Sequence, residues 1–113
     1  MTADPDLVQR LRALVGEQPG TAERRMFGGV AFLLDGHMAV GASGAGGLMV
    51  RADPADLDDL LREPGAHPFE MRGRPMRGWL RVDASAVPDD EALGRWVDVG
   101  VGFVRTLPAK PTD

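Results

Sequence analysis

The stretch that decides the fold covers residues 24–40 and reads RRMFGGVAFLLDGHMAV. Two apolar runs, residues 30–34 and 37–40, lie on either side of Asp35-Gly36. An Asp-Gly pair between apolar runs predicts a β-hairpin, because both central residues of a type I′ turn need a positive φ. Gly28 and Gly29 precede the first run and predict a β-bulge or a close backbone approach.

Three further strands are predicted after this hairpin. A glycine-rich connection, residues 41–47, leads to a strand at residues 48–51, which completes a three-strand meander. After a loop at residues 63–68, two more strands are expected at residues 69–72 and 76–82. Both show a partial alternation of apolar and polar residues, which is typical of a half-buried strand.

Three helices are predicted from their start signals and their apolar spacing. Asp4-Pro5 and Asp53-Pro54 each place an aspartate as N-cap before a proline in the first turn, and residues 87–91 form an acidic helix start. Apolar or small residues recur at helical spacing in each of the three helices: Leu7, Val8, Leu11, Leu14 and Val15; Leu57, Leu60 and Leu61; Leu93, Trp96, Val97, Gly100, Val104 and Leu107.

The predicted order of elements is therefore α-β-β-β-α-β-β-α. This order is typical of a two-layer α+β fold, in which an antiparallel sheet carries the helices on one face. No repeat, linker or change of composition divides the 113 residues. We expect a single domain over residues 1–107, followed by a disordered tail at residues 108–113.

Composition and charge exclude several classes of protein. The chain has no cysteine, which excludes disulfides, thiolate metal sites and cysteine nucleophiles. Its longest apolar run, residues 30–34, is far shorter than the roughly 20 residues that span a membrane, so we expect a cytoplasmic protein with no membrane partner. The net charge of −4 argues against general affinity for nucleic acid, which needs clustered cations.

Four arginines, Arg72, Arg74, Arg77 and Arg81, form a candidate interaction surface on the last predicted hairpin. Over residues 70–83 they are opposed by only two acidic residues. Alternation along a strand places Arg77 and Arg81 on one face, and Arg72 and Arg74 could join them across the turn. Such a face would bind the phosphates of nucleic acid or an acidic partner. The alternative is a solvated face whose arginines pair with neighbouring carboxylates.

No constellation of residues predicts catalysis, a metal site or a cofactor. Asp56 and Asp59 have the spacing to share a cation, but no further ligand is placed to complete a shell. Residues 41–47 lack the lysine and the following helix of a phosphate-binding loop. The nucleophile and base candidates stand in no motif with one another: Ser43, Ser85, His37 and His67. We expect no enzyme, no cofactor and no metal.

Five consecutive residues, Arg25-Met26-Phe27-Gly28-Gly29, followed by a strand and Asp35-Gly36, resemble the signature of the N-terminal domain of TfoX/Sxy proteins. The resemblance covers residues 7–107 and implies a two-layer α+β fold similar to type III secretion chaperones. The signature is either a recognition corner, where glycine permits close approach, or a bulge that bends the strand. Further residues fit the same pattern: Pro68-Phe69, Val87-Pro88, Leu93 and Trp96.

The resemblance also implies a function. Family members with a known role are transcriptional coactivators of bacterial competence genes and carry a helical C-terminal half, so this chain resembles a stand-alone member without that half. We expect a small bacterial, cytoplasmic, non-enzymatic domain that regulates by protein interaction and is linked to transcription. Its partner is expected to be another protein or a second copy in a homodimer. The alternative is a nucleic-acid-binding protein that uses the arginine-rich hairpin.

Overall fold

The protein is described by a computed structural model that covers residues 4–26, 28–71 and 73–108. Within these residues, six strands form one antiparallel sheet in the order β1-β2-β3-β4-β6-β5, and three helices pack against one of its faces. The α+β class with an antiparallel sheet is confirmed. The elements in chain order are α1 (Pro5–Val15), β1 (Thr21–Met26), β2 (Gly29–Leu34), β3 (His37–Ala42), β4 (Leu48–Arg51), α2 (Leu57–Leu60), β5 (Ala66–Met71), β6 (Arg74–Val82) and α3 (Asp90–Val104).

Helices α1 and α3 begin where the capping residues predict, whereas α2 begins at Leu57, after a 3₁₀ turn at Pro54–Asp56. The carboxylate of Asp4 accepts a hydrogen bond from the backbone N–H of Asp6 at 3.0 Å at the start of α1. Asp53 caps a 3₁₀ turn that leads into α2, and Asp89 caps α3 by accepting from the N–H of Ala92 at 2.8 Å. Each cap satisfies a backbone donor that the helix leaves without a partner.

The hairpin at Asp35-Gly36 is also confirmed. Asp35 has φ 51° and Gly36 has φ 86°, and Leu34 pairs directly with His37 across the two-residue turn. A β-bulge follows in β3, where Ala39 has no partner in β2 because Phe32 pairs with Val40 and Leu33 with Met38. The bulge lies against α3, since a Cβ built on Gly100 would come within 2.4 Å of the carbonyl oxygen of Ala39.

One strand was missed and one glycine was misassigned. Thr21–Met26 forms β1, so four strands rather than three precede α2. Its sequence shows no apolar alternation that would have predicted a strand, and Ala22, Glu23, Arg24 and Arg25 are all exposed. Gly28 has φ 77° in the turn between β1 and β2, and Met26 pairs with Gly29, so a turn replaces the expected bulge, while the other expectation, a close backbone approach, is met at Gly29.

The last hairpin also differs from its prediction. β5 begins at Ala66, inside the expected loop, and β6 begins at Arg74. Pairing between the two strands is irregular, since Pro68 lies opposite Leu80 while Glu70 lies opposite Pro75. Residues 76–79 of β6 therefore lie opposite the single residue 69 of β5, and Gly78 in this longer segment has φ 87°. Regular alternation is interrupted there.

The core lies between the helices and one face of the sheet. Leu11, Phe32, Leu48, Leu80 and Leu93 are fully buried in it, together with the apolar faces of α1 and α3 that the spacing predicted. The opposite face of the sheet is called the outer face below. Pro108, the first residue of the expected tail, has its carbonyl oxygen 2.6 Å from Nε2 of His37. Residues 109–113 lie outside the described structure.

Candidate interaction site at the β1–β2 hairpin

The two signature glycines have different structural reasons. Gly28 is exposed and has φ 77°, a left-handed conformation that glycine adopts without steric cost. Gly29 is buried, and a Cβ at this position would lie 2.4 Å from the carbonyl oxygen of Ala42 and 3.1 Å from the amide nitrogen of Gly44. The signature therefore makes a tight turn and lets β3 approach β2 closely. Phe27 and the side chain of Met26 lie outside the described structure.

A cavity of about 460 Å³ opens between α1 and the β1–β2 hairpin. Helix α1 contributes Val8, Gln9 and Arg12 to its wall. The hairpin contributes Glu23 and Val30, and three of the five signature residues also line it: Arg25, Gly28 and Gly29. Signature residues thus line a concave surface, here called the signature cavity, and its role as a recognition corner stays a prediction.

One ion pair spans the signature cavity from α1 to β1. Nε and Nη2 of Arg12 donate to the two carboxylate oxygens of Glu23, the second bond at 3.0 Å. This hydrogen bond is the main reason that the pKa of Glu23 is lowered and that of Arg12 is raised. The charge of Arg25 lowers the pKa of Glu23 slightly further. A bidentate pair of this kind holds α1 and β1 in one relative orientation.

Arg24 and Arg25 lie on opposite faces of β1. Arg25 pairs with Val30, which packs against the core, so Arg25 lies on the helix side with the signature cavity. Arg24 pairs with Ala31 and therefore lies on the outer face. Both arginines are exposed, and neither has a carboxylate within 4.0 Å in residues 4–26, 28–71 and 73–108. Within the described residues neither arginine forms an ion pair, and Arg25 has only a longer-range attraction to Glu23, which Arg12 already binds.

The predicted arginine surface at the other end of the sheet is not one uniform patch. Arg81 donates to Asp83 at 3.1 Å, and His67 lies 2.9 Å from the other oxygen of the same carboxylate. The hydrogen bond with His67 is the largest cause of the lowered pKa of Asp83. Arg81 thus follows the alternative that sequence analysis left open, in which a hairpin arginine pairs with a neighbouring carboxylate.

Arg74 and Arg77 lie in the tip of that hairpin and are exposed. Neither has a carboxylate within 4.0 Å in the part of the chain that the structure describes. Between Arg77 and Arg81, Gly78 has φ 87° and the pairing of β6 with β5 is irregular, and the common face of the two arginines stays a prediction. Arg72 lies outside the described residues.

Arg51 was not singled out by the sequence. Its guanidinium carbon lies 5.8 Å from the ring centroid of Trp79 and 5.6 Å from that of Phe103. The ring of Phe69 lies 6.3 Å from that of Trp79. Cation–π contacts of this kind stabilise the end of β4 against β6 and α3. No spacing rule links these residues, since they come from four separate elements.

The histidines and one serine make local structural contacts. His37 is buried and bonds to the backbone of Pro108, while His67 bonds to Asp83. The hydroxyl of Ser43 accepts from the N–H of Ala45 within the β3–β4 turn. Within the residues described, no three His, Asp or Glu side chains form a group that could hold a metal ion. No described helix is long and apolar enough to cross a membrane.

The geometry defines a two-layer α+β domain in which signature residues line one cavity between the first helix and the first hairpin. The family model described as TfoX N-terminal domain matches residues 13–104 of the 113. The chain belongs to that family. Neither the curated proteins nor the solved structures compared with the chain gave a match.

Proposed function

We propose that this TfoX N-terminal domain is a regulatory protein-interaction module and that its partner contacts the signature cavity. The observation that supports this most is the exposed Arg25, which has no carboxylate within 4.0 Å in the described ranges and stands beside the exposed backbone turn at Gly28. A free guanidinium recognises a carboxylate with two parallel hydrogen bonds. The partner is therefore expected to present an acidic group to this cavity.

The histidines that could act as catalytic bases are engaged in structural contacts, which favours binding over catalysis. His67 and Arg81 share the carboxylate of Asp83, and His37 bonds to a backbone carbonyl. Within the described residues, no serine hydroxyl bonds to either histidine, so the pairing that activates a serine nucleophile is not formed. We propose the cytoplasm as the location of this module, because a chain without cysteine suits a reducing compartment.

Affinity capture with the full chain tests this proposal. The wild type, Arg25→Glu and the control Arg77→Glu are tagged and expressed in cells of the source organism, and co-purifying proteins are quantified by mass spectrometry. Both substitutions reverse one exposed arginine that has no carboxylate partner in the described ranges. We expect a protein that is enriched by the wild type and the control but lost with Arg25→Glu. An identical set of proteins from all three baits would contradict the proposal.

Nucleic-acid binding is the second candidate, and it is favoured by Arg74 and Arg77 at the hairpin tip, which form no ion pair with any described residue. Two such cations support only a weak, salt-dependent contact with phosphates. Titration of the full chain with short DNA and RNA at low salt tests this candidate, with Arg74→Glu/Arg77→Glu as the variant. Binding that the double substitution abolishes would support it. Absence of binding at low salt would eliminate it.

A further inference from the structure

The two edges of the sheet differ in their capacity to accept another strand. The order β1-β2-β3-β4-β6-β5 leaves β1 and β5 at the edges. β5 contains Pro68, which has no N–H to donate, and its pairing with β6 is irregular. β1 contains no proline and pairs with β2 at six consecutive positions from Thr21 to Met26. A regular strand of this kind is a template for a further strand.

The free edge of β1 is open in the described structure. Among residues 4–26, 28–71 and 73–108, no backbone hydrogen bond outside the β1–β2 ladder involves Ala22, Glu23, Arg24 or Arg25. All four residues are exposed. The edge is therefore accessible along at least four residues, which is enough to pair with a short extended segment.

The charges along β1 indicate what this edge would accept. Glu23 is already paired with Arg12, so its negative charge is compensated within the domain. Arg24 on the outer face and Arg25 on the helix side form no ion pair among the described residues, although the whole chain has a net charge of −4. A second copy paired antiparallel about Arg24 or Arg25 would place at least one pair of like arginines opposite each other, which is unfavourable. Pairing about Arg24 would also place Glu23 opposite Arg25 of the other copy, but that glutamate is already bound by Arg12. A strand with consecutive acidic residues would instead place a carboxylate beside both arginines, so we favour it over a second copy at this edge.

We infer that β1 accepts an extended acidic segment of a protein partner as a seventh strand of the sheet. Successive side chains of a strand point to opposite faces, so consecutive acidic residues would reach both arginines. One carboxylate would contact Arg25 at the signature cavity, and the next would contact Arg24 on the outer face. This inference rests on the proposed function and specifies the chemistry and conformation of the partner.

The test uses the full ¹⁵N-labelled chain and a synthetic peptide, acetyl-Thr-Val-Glu-Glu-Glu-Val-Thr-amide. We expect saturable NMR shift changes centred on Ala22–Arg25 and slower hydrogen exchange of amides along β1. Arg24→Glu/Arg25→Glu should weaken binding by roughly tenfold or more, since two charge-assisted contacts are replaced by repulsion. Arg74→Glu/Arg77→Glu is the matched control, because it makes the same change of charge at the tip of the β5–β6 hairpin, away from β1, and it should leave binding within about twofold.

Backbone methylation separates strand pairing from simple charge attraction. Two further peptides keep every side chain but carry N-methyl groups at odd or at even positions. A bound strand directs alternate N–H groups to β1, so one methylated peptide should lose binding and the other should retain it. Equal binding by both methylated peptides would overturn the inference, as would shifts confined to the tip around Arg74.

A second copy on β1 would also overturn the inference. Light scattering would then show a dimer that Arg24→Glu/Arg25→Glu converts to a monomer. Thermal melting checks that Arg24→Glu/Arg25→Glu folds. We expect that it does, because neither Arg24 nor Arg25 makes an ion pair in the described structure. If a captured partner depends on Arg25 but the peptide does not bind, the inference of a seventh strand is wrong and the proposed function still stands. Peptide binding without any captured partner would instead refute the proposed function.

Discussion

Gly100 and Gly102 lie two residues apart in α3 but have different surroundings, which makes them a test of how this helix packs. Gly100 is buried, and a Cβ there would lie 2.4 Å from the carbonyl oxygen of Ala39 and 2.8 Å from Cγ1 of Val40. A Cβ on Gly102 would meet no atom within 4 Å. Gly100→Ala and Gly102→Ala therefore add the same methyl group to a crowded and to an open position.

The expected free energies of unfolding follow from two opposing effects. Alanine in place of glycine stabilises a helix interior by up to about 1 kcal/mol, and this gain applies to both positions. Overpacking costs about 1–3 kcal/mol, and the upper part of that range applies at Gly100 because the crowded oxygen belongs to the backbone of a central strand. Relative to the wild type, the free energy of unfolding should rise for Gly102→Ala and fall by about 1–2 kcal/mol for Gly100→Ala. The two variants should therefore differ in this free energy by about 2 kcal/mol or more.

Urea denaturation followed by circular dichroism measures this difference. With an m value of about 2 kcal/mol/M, the two variants should differ by about 1 M in their midpoints. Gly94→Ala, which also adds a Cβ with no atom within 4 Å, serves as a second open-position control. Equal midpoints for Gly100→Ala and Gly102→Ala would refute the close packing of α3 on β3.

Three further predictions concern other local contacts. The hydrogen bond from Arg12 holds the pKa of Glu23 in the folded state below its ordinary 4.5. The bond therefore stabilises the fold at pH values above the pKa that Glu23 has in the unfolded chain, and this stabilisation is lost as the pH falls through the lowered pKa of the folded state. Arg12→Ala should therefore reduce the loss of Tm on acidification below about pH 5, measured by calorimetry; an unchanged profile would contradict this. His67→Ala should raise the pKa of Asp83 toward its ordinary 3.8, read from the carboxyl ¹³C shift, since their hydrogen bond is the main cause of the lowering; a fall would refute that cause. Gly36→Ala should cost about 1–2 kcal/mol in urea denaturation, because φ is 86°; wild-type stability would argue against the type I′ turn.

Much of the fold was predictable because its signals are local. Asp4 and Asp89 cap α1 and α3, and Asp53 caps the 3₁₀ turn before α2, through hydrogen bonds to residues two or three positions further on. The turn at Asp35-Gly36 depends only on the φ angles of two neighbouring residues. β1 escaped prediction because its exposed residues are ordered by pairing with β2 rather than by burial of an apolar face.

The site was predictable only in part. The signature residues Arg25, Gly28 and Gly29 were identified in the sequence, but their shared cavity depends on the position of Arg12 on α1. The arginine-rich hairpin was identified from charge, whereas the engagement of Arg81 by Asp83 depends on geometry that local charge does not specify. Arg51 carried no signal, because its aromatic neighbours come from separate elements.

The sequence by itself determined where the helices begin, where the central hairpin turns and which family the signature indicates, because these properties depend on residues within a few positions of one another. Only the tertiary structure decided that residues 21–26 become an edge strand and that Glu23 is paired with Arg12, while Arg24 and Arg25 form no ion pair in the part of the chain that the structure describes. Pairing, burial and charge compensation join residues that are distant along the chain. Their free energies therefore depend on the assembled sheet and helices rather than on local pattern.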